Sequence, residues 1–251
     1  MMSEPTSDWG KHIERMFSEI VPWYDRLNRL LSLRRDVGWR RSLVRGLNLP
    51  PSPRVLDLAA GTLDVALELT RCCGPGQFVA VDFSLAMLRQ GQAKLAASPT
   101  PVSIRLIAAD AYALPFRDEQ FDAVTMAFGI RNLLDRPAAL QEIRRILQPG
   151  GKIAILEFVP PQTGYFLVLY RFYLHNILPL LARLLSPLGF AYRYLVESIG
   201  NFPSAPEFGQ QLQQAGFEGV QSQPLTRGVA YLFYGRKPLV QQQLRPAKEI
   251  N

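Results

Sequence analysis

The chain has 251 residues, of which 48% are hydrophobic and 20% are charged, and its formal net charge is +7. This composition excludes a disordered chain, and the length fits one large domain or a domain with additions. Cys72 and Cys73 are adjacent, which excludes a disulfide framework, and His12 and His175 cannot form a metal-ligand cluster, so no metal is predicted. The polar, partly acidic N-terminus is unlike a secretory signal, so we expect a reducing, cytoplasmic setting.

The positive charge is dispersed along the chain. Residues 54–158 hold equal numbers of acidic and basic groups, so the excess of arginine lies in the two flanking segments. This distribution is compatible with a solvated surface, with an anionic membrane surface or with nucleic acid. Peripheral association with the inner face of a membrane is therefore one of the open alternatives.

Residues 1–53 are predicted to form an N-terminal helical lid. Met16, Phe17, Ile20 and Val21 recur at helical spacing. The Pro-Pro-Ser-Pro run at 50–53 ends this segment and marks the clearest boundary in the chain.

Residues 54–158 alternate between apolar runs and helical stretches. Strands are predicted over 54–59, 77–82, 103–108, 121–126 and 152–157, with helices over 64–71, 84–97 and 138–147. Ser84 is well placed to cap the second of these helices. Continuous apolar strands that alternate with helices predict an α/β, doubly wound core with a parallel sheet covered on both faces.

The remainder of the chain divides into three parts. Residues 159–205 are predicted to be a helical insertion, in which 165–185 is rich in aromatic and apolar residues but too interrupted for a confident transmembrane helix. This stretch fits either a channel for a greasy substrate tail or ordinary core covering. Residues 206–237 return to the core with a helix and two strands, 217–223 and 229–236, and 238–251 form a loose tail.

Small turns with acidic residues follow the first three strands. Gly61 lies in the first turn, Asp82 ends the second strand, and Asp110 with Ala111 follows the third. The carboxyl ends of parallel strands meet at one edge of the sheet, where ligands bind. A glycine turn lets a ligand approach the backbone, and Asp82 is placed to accept hydrogen bonds from both hydroxyls of a ribose.

The same turn argues against a dinucleotide. It lacks a G-x-G-x-x-G motif and has no Lys or Arg for a pyrophosphate, so a nucleoside without phosphates fits better, and S-adenosylmethionine is the predicted cofactor. Each aspartate alone is as compatible with a turn or cap residue. Their occurrence at successive strand ends favours a cofactor site.

Two later motifs are far more specific than the glycine turn. They are Phe128-Gly129-Ile130-Arg131-Asn132 and Tyr194-Leu195-Val196-Glu197-Ser198-Ile199. Together with residues 55–62, 82–84, 110–116 and 149–151, they resemble the ubiquinone/menaquinone biosynthesis C-methyltransferase family of class I S-adenosylmethionine-dependent methyltransferases. The resemblance runs from about residue 16 to residue 237.

This resemblance implies a Rossmann-like, mostly parallel seven-stranded sheet and methyl transfer to a ring carbon of a polyprenylated quinol. Either a naphthoquinol or a benzoquinol fits, and overall similarity favours demethylmenaquinol. On the family's pattern the cofactor contacts are Thr62, Asp82, Asp110 and Ala111, with Gly61 in the same turn.

Arg131 and Asn132 are the candidate catalytic residues. Methylation at carbon requires a deprotonated ring hydroxyl, so Arg131 is expected to stabilise the quinolate and Asn132 to orient a ring oxygen. The alternative is a structural loop pair that bridges to Asp135.

Three further residues are candidate substrate contacts. Tyr24 and Asp25 could close over the acceptor as part of the lid, although core packing is as good an account of Tyr24. His175 is a second candidate base, but a lone histidine in an apolar helix is more often structural.

One position departs from the family's pattern in the glycine turn. Leu63 stands where the family usually has glycine, and leucine resists a positive φ. Its bulk is expected to lie near the methionine end of the cofactor. If the turn needs glycine there, cofactor affinity falls, whereas Leu63 costs little if the position is already helical. Ala127 likewise stands where the family often has serine.

Three rival functions remain. A nucleic-acid amino-methyltransferase usually carries an Asn/Asp-Pro-Pro-aromatic motif where this chain has Ala127-Phe128-Gly129, so no nucleic-acid partner is expected. The others are a methyltransferase for a soluble small molecule and a non-catalytic relative that binds the cofactor. The sequence is also compatible with a homodimer.

Overall fold

The computed structural model describes residues 5–97, 103–160 and 189–239. The helices are α1 (Pro5–Leu31), α2 (Arg35–Arg45), α3 (Asp64–Cys72), α4 (Leu85–Ala96), α5 (Arg136–Ile146), α6 (Gly189–Gly200) and α7 (Ala205–Gln214). The strands are β1 (Arg54–Leu58), β2 (Gln77–Asp82), β3 (Ile104–Ala108), β4 (Phe121–Ala127), β5 (Leu147–Phe158), β6 (Glu218–Leu225) and β7 (Ala230–Arg236). His175, the predicted channel at 165–185 and most of the predicted tail lie outside the described residues.

The seven strands form one sheet in the order β3-β2-β1-β4-β5-β7-β6. Strands β1 to β5 are parallel, whereas β7 runs antiparallel to both β5 and β6. The predicted α/β class with a mostly parallel seven-stranded sheet is therefore confirmed. The chain order reverses between β1 and β4, and such a switch point leaves a crevice at the carboxyl ends of the strands.

Apolar residues cover both faces of the sheet. On one face, α5 and α7 contribute Ile143 and Phe208 to a cluster that also contains Leu56 of β1. On the other face, α2 and α3 contribute Leu43 and Leu69, which pack against Val55. Val55 and Leu56 are adjacent on β1 and point to opposite faces, as the pleat of a strand requires.

Strand β5 differs most from its predicted bounds, and helix α1 passes through a proline. Helix α1 continues through Pro22. Strand β5 begins at Leu147 rather than at residue 152, because Leu147 pairs with Phe121 before the register shifts. Gly150, with φ +78°, supplies the left-handed residue of this irregularity.

The capping prediction for the second core helix is confirmed, because Ser84 Oγ accepts a hydrogen bond from Met87 N at 3.4 Å. Helix α7 begins with a capping box between Ser204 and Glu207. Among the helices in the described parts of the chain, none combines the length and the apolar character that crossing a bilayer requires.

Candidate active site

A cavity of about 390 Å³ lies beyond the carboxyl ends of β1 to β4. This volume is within the range of roughly 300–1,000 Å³ that is typical of small-molecule sites. The polar side chains in its wall include Asp82, Asp110 and Asn132, and its aromatic side chains include Trp9, Phe17, Tyr24, Phe83, Tyr112 and Phe128. Three of these aromatic residues belong to α1, so the first helix covers the crevice that the sheet leaves open.

Asp82 is held in place by the main chain around it. Its Oδ2 accepts a hydrogen bond from Gly61 N at 2.7 Å, and its Oδ1 accepts one from Ser84 N at 2.8 Å. Burial raises the pKa of Asp82, and these N–H groups oppose the rise. A carboxylate has about four acceptor positions, so both oxygens retain capacity for further donors in the cavity.

Gly61, Asp110 and Ala111 line the same cavity. Gly61 has φ +53°, and a Cβ there would lie 3.8 Å from Cε1 of Tyr24. Asp110 Oδ1 accepts a hydrogen bond from Tyr112 N at 3.0 Å, which fixes the turn after β3. The structure thus brings together four of the five predicted cofactor contacts.

Arg131 lies in a short 3₁₀ turn, Ile130–Asn132, that follows β4. Its Nη1 donates to Glu157 Oε1 at 2.9 Å, and its main-chain N donates to Glu157 Oε2 at 3.2 Å. Burial raises the pKa of Glu157, and the charge of Arg131 opposes that rise. Arg131 itself is not part of the cavity wall.

The ion pair shows that the structural partner of Arg131 is Glu157 and not Asp135. Asp135 instead caps α5 by accepting a hydrogen bond from Ala138 N at 2.9 Å. Glu157 was not predicted as a site residue. Its signal was a carboxylate near the end of β5, next to the strand that Arg131 follows.

Phe128 sets the direction of the chain before this turn. It has φ +59°, which is costly for an aromatic residue, and its ring stacks on Phe158 with 4.5 Å between centroids. The next residue must be glycine, because a Cβ on Gly129 would lie 2.5 Å from that of Ala59. Packing therefore explains why glycine follows phenylalanine in this motif.

Asn132 lies in the wall of the cavity. Its Oδ1 accepts a hydrogen bond from the Tyr194 hydroxyl at 2.8 Å, and its main-chain oxygen accepts one from Trp9 Nε1 at 3.2 Å. Neither Tyr194 nor Trp9 was predicted as a site residue. Tyr194 had a signal, since it opens the second specific motif.

The family model described as the ubiE/COQ5 methyltransferase family matches residues 6–237. The chain belongs to this family. Two curated relatives illustrate the similarity. The ubiquinone/menaquinone biosynthesis C-methyltransferase of Geobacter sulfurreducens is 44% identical over 92% of this chain and 90% of the relative. The demethylmenaquinone methyltransferase of Thermus thermophilus is 46% identical over 89% of this chain and the whole relative.

Solved structures of low sequence identity share the fold. An S-adenosylmethionine-dependent methyltransferase from Thermotoga maritima, described as a possible histamine N-methyltransferase, has a TM-score of 0.61 at 20% identity, covering 89% of this chain and 98% of its own. A putative methyltransferase from a Haloferax volcanii complex with the activator Trm112 has a TM-score of 0.64 at 16% identity, covering 88% and 97%. The predicted family, the methyltransferase class, the role in quinone biosynthesis and the cofactor S-adenosylmethionine are confirmed.

The cavity of this ubiE/COQ5 family member fits that cofactor. Asp82 has free acceptor capacity for ribose hydroxyls, and the glycine turn brings main chain to the cavity wall without a cationic side chain. Asp110, at the rim, is a suitable acceptor for the amino group of a purine. The individual contacts remain predictions.

Thr62 is the predicted contact that lies elsewhere. Its side chain is buried beneath the turn, and Oγ1 donates to Asp25 Oδ1 at 2.6 Å. It contributes to a small adjoining cavity of about 20 Å³, together with Arg40 and Asp57. Asp25 is likewise absent from the wall of the large cavity, whereas its neighbour Tyr24 is part of it.

A cluster of six charged side chains, which we call the charged cluster, lies beneath the glycine turn. Lys94 Nζ contacts Asp64 Oδ1 at 2.6 Å and Asp25 Oδ2 at 3.0 Å, and Arg29 Nη2 contacts Asp64 Oδ2 at 2.9 Å. The other members are Asp36 and Arg40, and Asp36 pairs with both arginines. Burial acts to raise the pKa of Asp64, but the charges of Arg40 and Lys94 outweigh it and lower the pKa to about 2.

Leu63 has φ +71°, so the turn adopts the left-handed conformation that glycine favours. Contrary to the expectation that its bulk lies near the cofactor, Leu63 does not line the cavity, and its side chain is fully buried with Ala66, Ala80 and Leu88. It packs against Gly91 of α4, where a Cβ would lie 2.3 Å from Leu63 Cγ. The missing side chain at position 91 makes room for the leucine.

Proposed function

We propose that this protein transfers the methyl group of S-adenosylmethionine to a ring carbon of a polyprenylated quinol, with demethylmenaquinol as the preferred acceptor. The observation that carries the proposal is one cavity whose wall contains Asp82 and Asn132 and whose cover is the aromatic face of α1. The printed names of the relatives from Geobacter sulfurreducens and Thermus thermophilus support the same substrate class.

The cofactor supplies an electrophilic methyl group on a sulfonium. Asp82 binds the ribose through acceptor positions that Gly61 N and Ser84 N leave open. Asp110 accepts from the amino group of the base, and Ala111 gives that base an apolar contact. Thr62 contributes indirectly, through the position of the glycine turn, because its hydroxyl already donates a hydrogen bond to Asp25.

The acceptor is methylated at carbon only when a neighbouring ring oxygen carries negative charge. Asn132 binds that oxygen from the cavity wall, and Arg131 acts electrostatically from the turn behind it. Burial raises the pKa of Tyr24, and the Asn28 hydrogen bond and the charges of Arg40 and Arg131 oppose the rise. Arg131 is thus among the charges that act on a side chain in the cavity wall, and Glu157 balances part of its charge.

Helix α1 excludes water from the reacting groups. Trp9, Phe17 and Tyr24 place aromatic surface over the cavity, and a methyl transfer by in-line displacement depends on such alignment and exclusion. Burial raises the pKa of Tyr24, so its hydroxyl stays protonated at neutral pH. It can therefore donate a hydrogen bond to the quinol but does not act as a base. Asp25 contributes by fixing the part of α1 that carries Tyr24. His175 stays a prediction.

A lipid acceptor also accounts for the apolar rim of the cavity. Phe83 and Leu134 are 43% and 52% exposed while lining the cavity, and the neighbouring Leu85 is 46% exposed. We propose peripheral association with an anionic membrane through this rim.

The double variant Phe83→Ser, Leu134→Ser is expected to reduce cosedimentation with anionic vesicles, whereas Leu33→Ser, at an exposed residue outside the cavity wall, leaves it unchanged. Equal vesicle binding by the wild type, the double variant and Leu33→Ser would contradict the proposed membrane contact.

The deciding experiment measures transfer of a labelled methyl group from S-adenosylmethionine to demethylmenaquinol in detergent, with a demethoxy-type benzoquinol and bulk RNA alongside. We expect methylated naphthoquinol. Transfer to RNA alone would favour a nucleic-acid methyltransferase, and tight cofactor binding without any transfer would favour a non-catalytic relative. The homodimer is a separate prediction, which light scattering tests.

Two variants test the catalytic roles within this experiment. Arg131→Ala and Asn132→Ala are each expected to lower turnover by about 10²–10³-fold, as removal of an oxyanion-stabilising group does. Calorimetry should show cofactor affinity within about twofold of wild type, since neither residue is a predicted cofactor contact. Unchanged turnover in either variant would remove that residue from the mechanism.

A further inference from the structure

Helix α6 brings the second specific motif to the active site. Tyr194 is half-buried, and its hydroxyl donates to Asn132 Oδ1 at 2.8 Å across 62 residues of sequence. Tyr194 is not among the residues that line the cavity, whereas Asn132 is. Any effect of Tyr194 on the acceptor therefore passes through Asn132.

Helix α1 contacts the same asparagine from another direction. Trp9 Nε1 donates to the main-chain oxygen of Asn132 at 3.2 Å, and the Trp9 and Tyr194 rings lie 6.1 Å apart between centroids. Both oxygens of Asn132 thus accept a hydrogen bond, one from each helix. The turn that carries Asn132 is fixed by two separate elements.

The hydrogen bond to Oδ1 determines which polar group of the Asn132 amide is available to the cavity. An asparagine side chain has one acceptor oxygen and an NH₂ group with two donors. With Oδ1 bound to Tyr194, its Nδ2 has no acceptor among the described residues. The amide can therefore present a donor to the cavity, and a donor is what an oxygen that gains negative charge requires.

We propose that Tyr194 is a positioning residue for methyl transfer, because its hydroxyl holds the Asn132 amide with Nδ2 available to the ring oxygen of the acceptor. This inference rests on the proposed role of Asn132. Without the hydroxyl, the amide can turn over and present Oδ1, which repels a quinolate. Burial raises the pKa of Tyr194 to about 12, so the hydroxyl remains a donor across the neutral and mildly alkaline range.

The first test removes only the hydroxyl. We expect Tyr194→Phe to lower kcat for the quinol about tenfold, the effect of one neutral hydrogen bond, with unchanged cofactor affinity. Tyr234→Phe is the matched control, because the Tyr234 hydroxyl donates to Ser42 O at 3.1 Å outside the site and its pKa is also raised to about 12 by burial. Equal activity of the two variants would overturn the inference.

The second test separates this inference from the role of Asn132. In the Asn132→Ala background, Tyr194→Phe should cause no further loss, because the group that it positions is gone. A further tenfold loss would show that Tyr194 acts independently and would overturn the inference. If Asn132→Ala itself retains wild-type turnover, the proposed role of Asn132 fails, and the inference fails with it.

A third variant tests the requirement for a donor directly. Asn132→Asp keeps an oxygen for Tyr194 but places a second oxygen where Nδ2 was, so it should be no more active than Asn132→Ala. An active Asn132→Asp protein would overturn the inference even if Tyr194→Phe were unstable. Thermal melts of all the variants establish that each protein compared is folded.

Discussion

The two ends of helix α1 are held by different kinds of interaction, ion pairs at one end and neutral hydrogen bonds at the other. Towards its C-terminal end, Asp25 and Arg29 join the charged cluster beneath the glycine turn. Near its N-terminal end, Trp9 joins a neutral group of hydrogen-bonded side chains, Trp9, Asn132 and Tyr194, which we call the neutral cluster. Residues 9 and 25 of a helix lie about 24 Å apart along its axis.

The two attachments have different consequences for stability. The charged cluster contains three acidic and three basic groups, so loss of one leaves partly buried charge uncompensated. The neutral cluster leaves at most one unpaired polar group when a member is lost, and each hydrogen bond contributes about 1 kcal/mol. We therefore infer that the charged cluster mainly fixes the fold beneath the cofactor turn, whereas the neutral cluster mainly aligns the acceptor side.

The largest effect is expected from Asp64→Asn. Asp64 contacts Arg29, Arg40 and Lys94, and the change leaves these cations without their shared partner. We expect a loss of about 3–5 kcal/mol in the free energy of unfolding, measured by urea denaturation. Asp118→Asn is the control, because Asp118 is 72% exposed and pairs with Arg145 at the surface. Similar losses in the two variants would contradict the importance of the cluster.

The apolar support of the glycine turn gives a smaller effect. Gly91→Ala is expected to cost about 2–3 kcal/mol, because its Cβ would lie 2.3 Å from Leu63 Cγ. Leu63→Gly should cost about 2 kcal/mol, since lost packing exceeds the relief of its positive φ, and it should not raise cofactor affinity.

Combining the two changes tests whether they share one contact. The double variant should cost less than the sum of the single changes, because each change makes room for the other. Gly38→Ala is the control, as a Cβ there meets nothing within 4 Å. Additive losses would place the strain outside the contact between Leu63 and Gly91.

Acid should weaken the charged cluster selectively. The folded pKa of Asp64 is about 2, below its usual 3.8, so the part of its contribution that depends on its charge, about 2 kcal/mol, is present above pH 4 and is lost as the pH falls towards 2. Urea titrations from pH 5 to pH 2 should show this slope in wild type but a shallower one in Asp64→Asn. Parallel curves for the two proteins would refute the assignment.

The smallest effect is expected in the neutral cluster. Tyr194→Phe should lower the free energy of unfolding by about 1 kcal/mol or less, even though we expect it to lower turnover about tenfold. The measurement is urea denaturation beside Tyr234→Phe. A loss as large as that of Asp64→Asn would mean that both attachments of α1 determine stability, and the comparison would no longer hold.

The sequence predicted the convergence of the proposed cofactor contacts better than the surroundings of the proposed acceptor contacts. Gly61, Asp82 and Asp110 follow parallel strands, and the carboxyl ends of such strands necessarily meet at one edge. Their convergence on one cavity thus follows from the strand pattern. Arg131 was recognised from its motif, but its partner Glu157 is on another strand, and no local pattern links the two.

By itself, the sequence determined the alternation of strands and helices, the strand-end acids and the family. These follow from hydrophobic periodicity and motifs, which depend on residues close together in the chain. Only the tertiary structure decided that Leu63 packs into the space at Gly91, that Thr62 binds Asp25, and that Tyr194 binds Asn132. Each of these contacts joins residues that are distant in sequence, and packing of separate helices against the sheet brings them within a few ångströms.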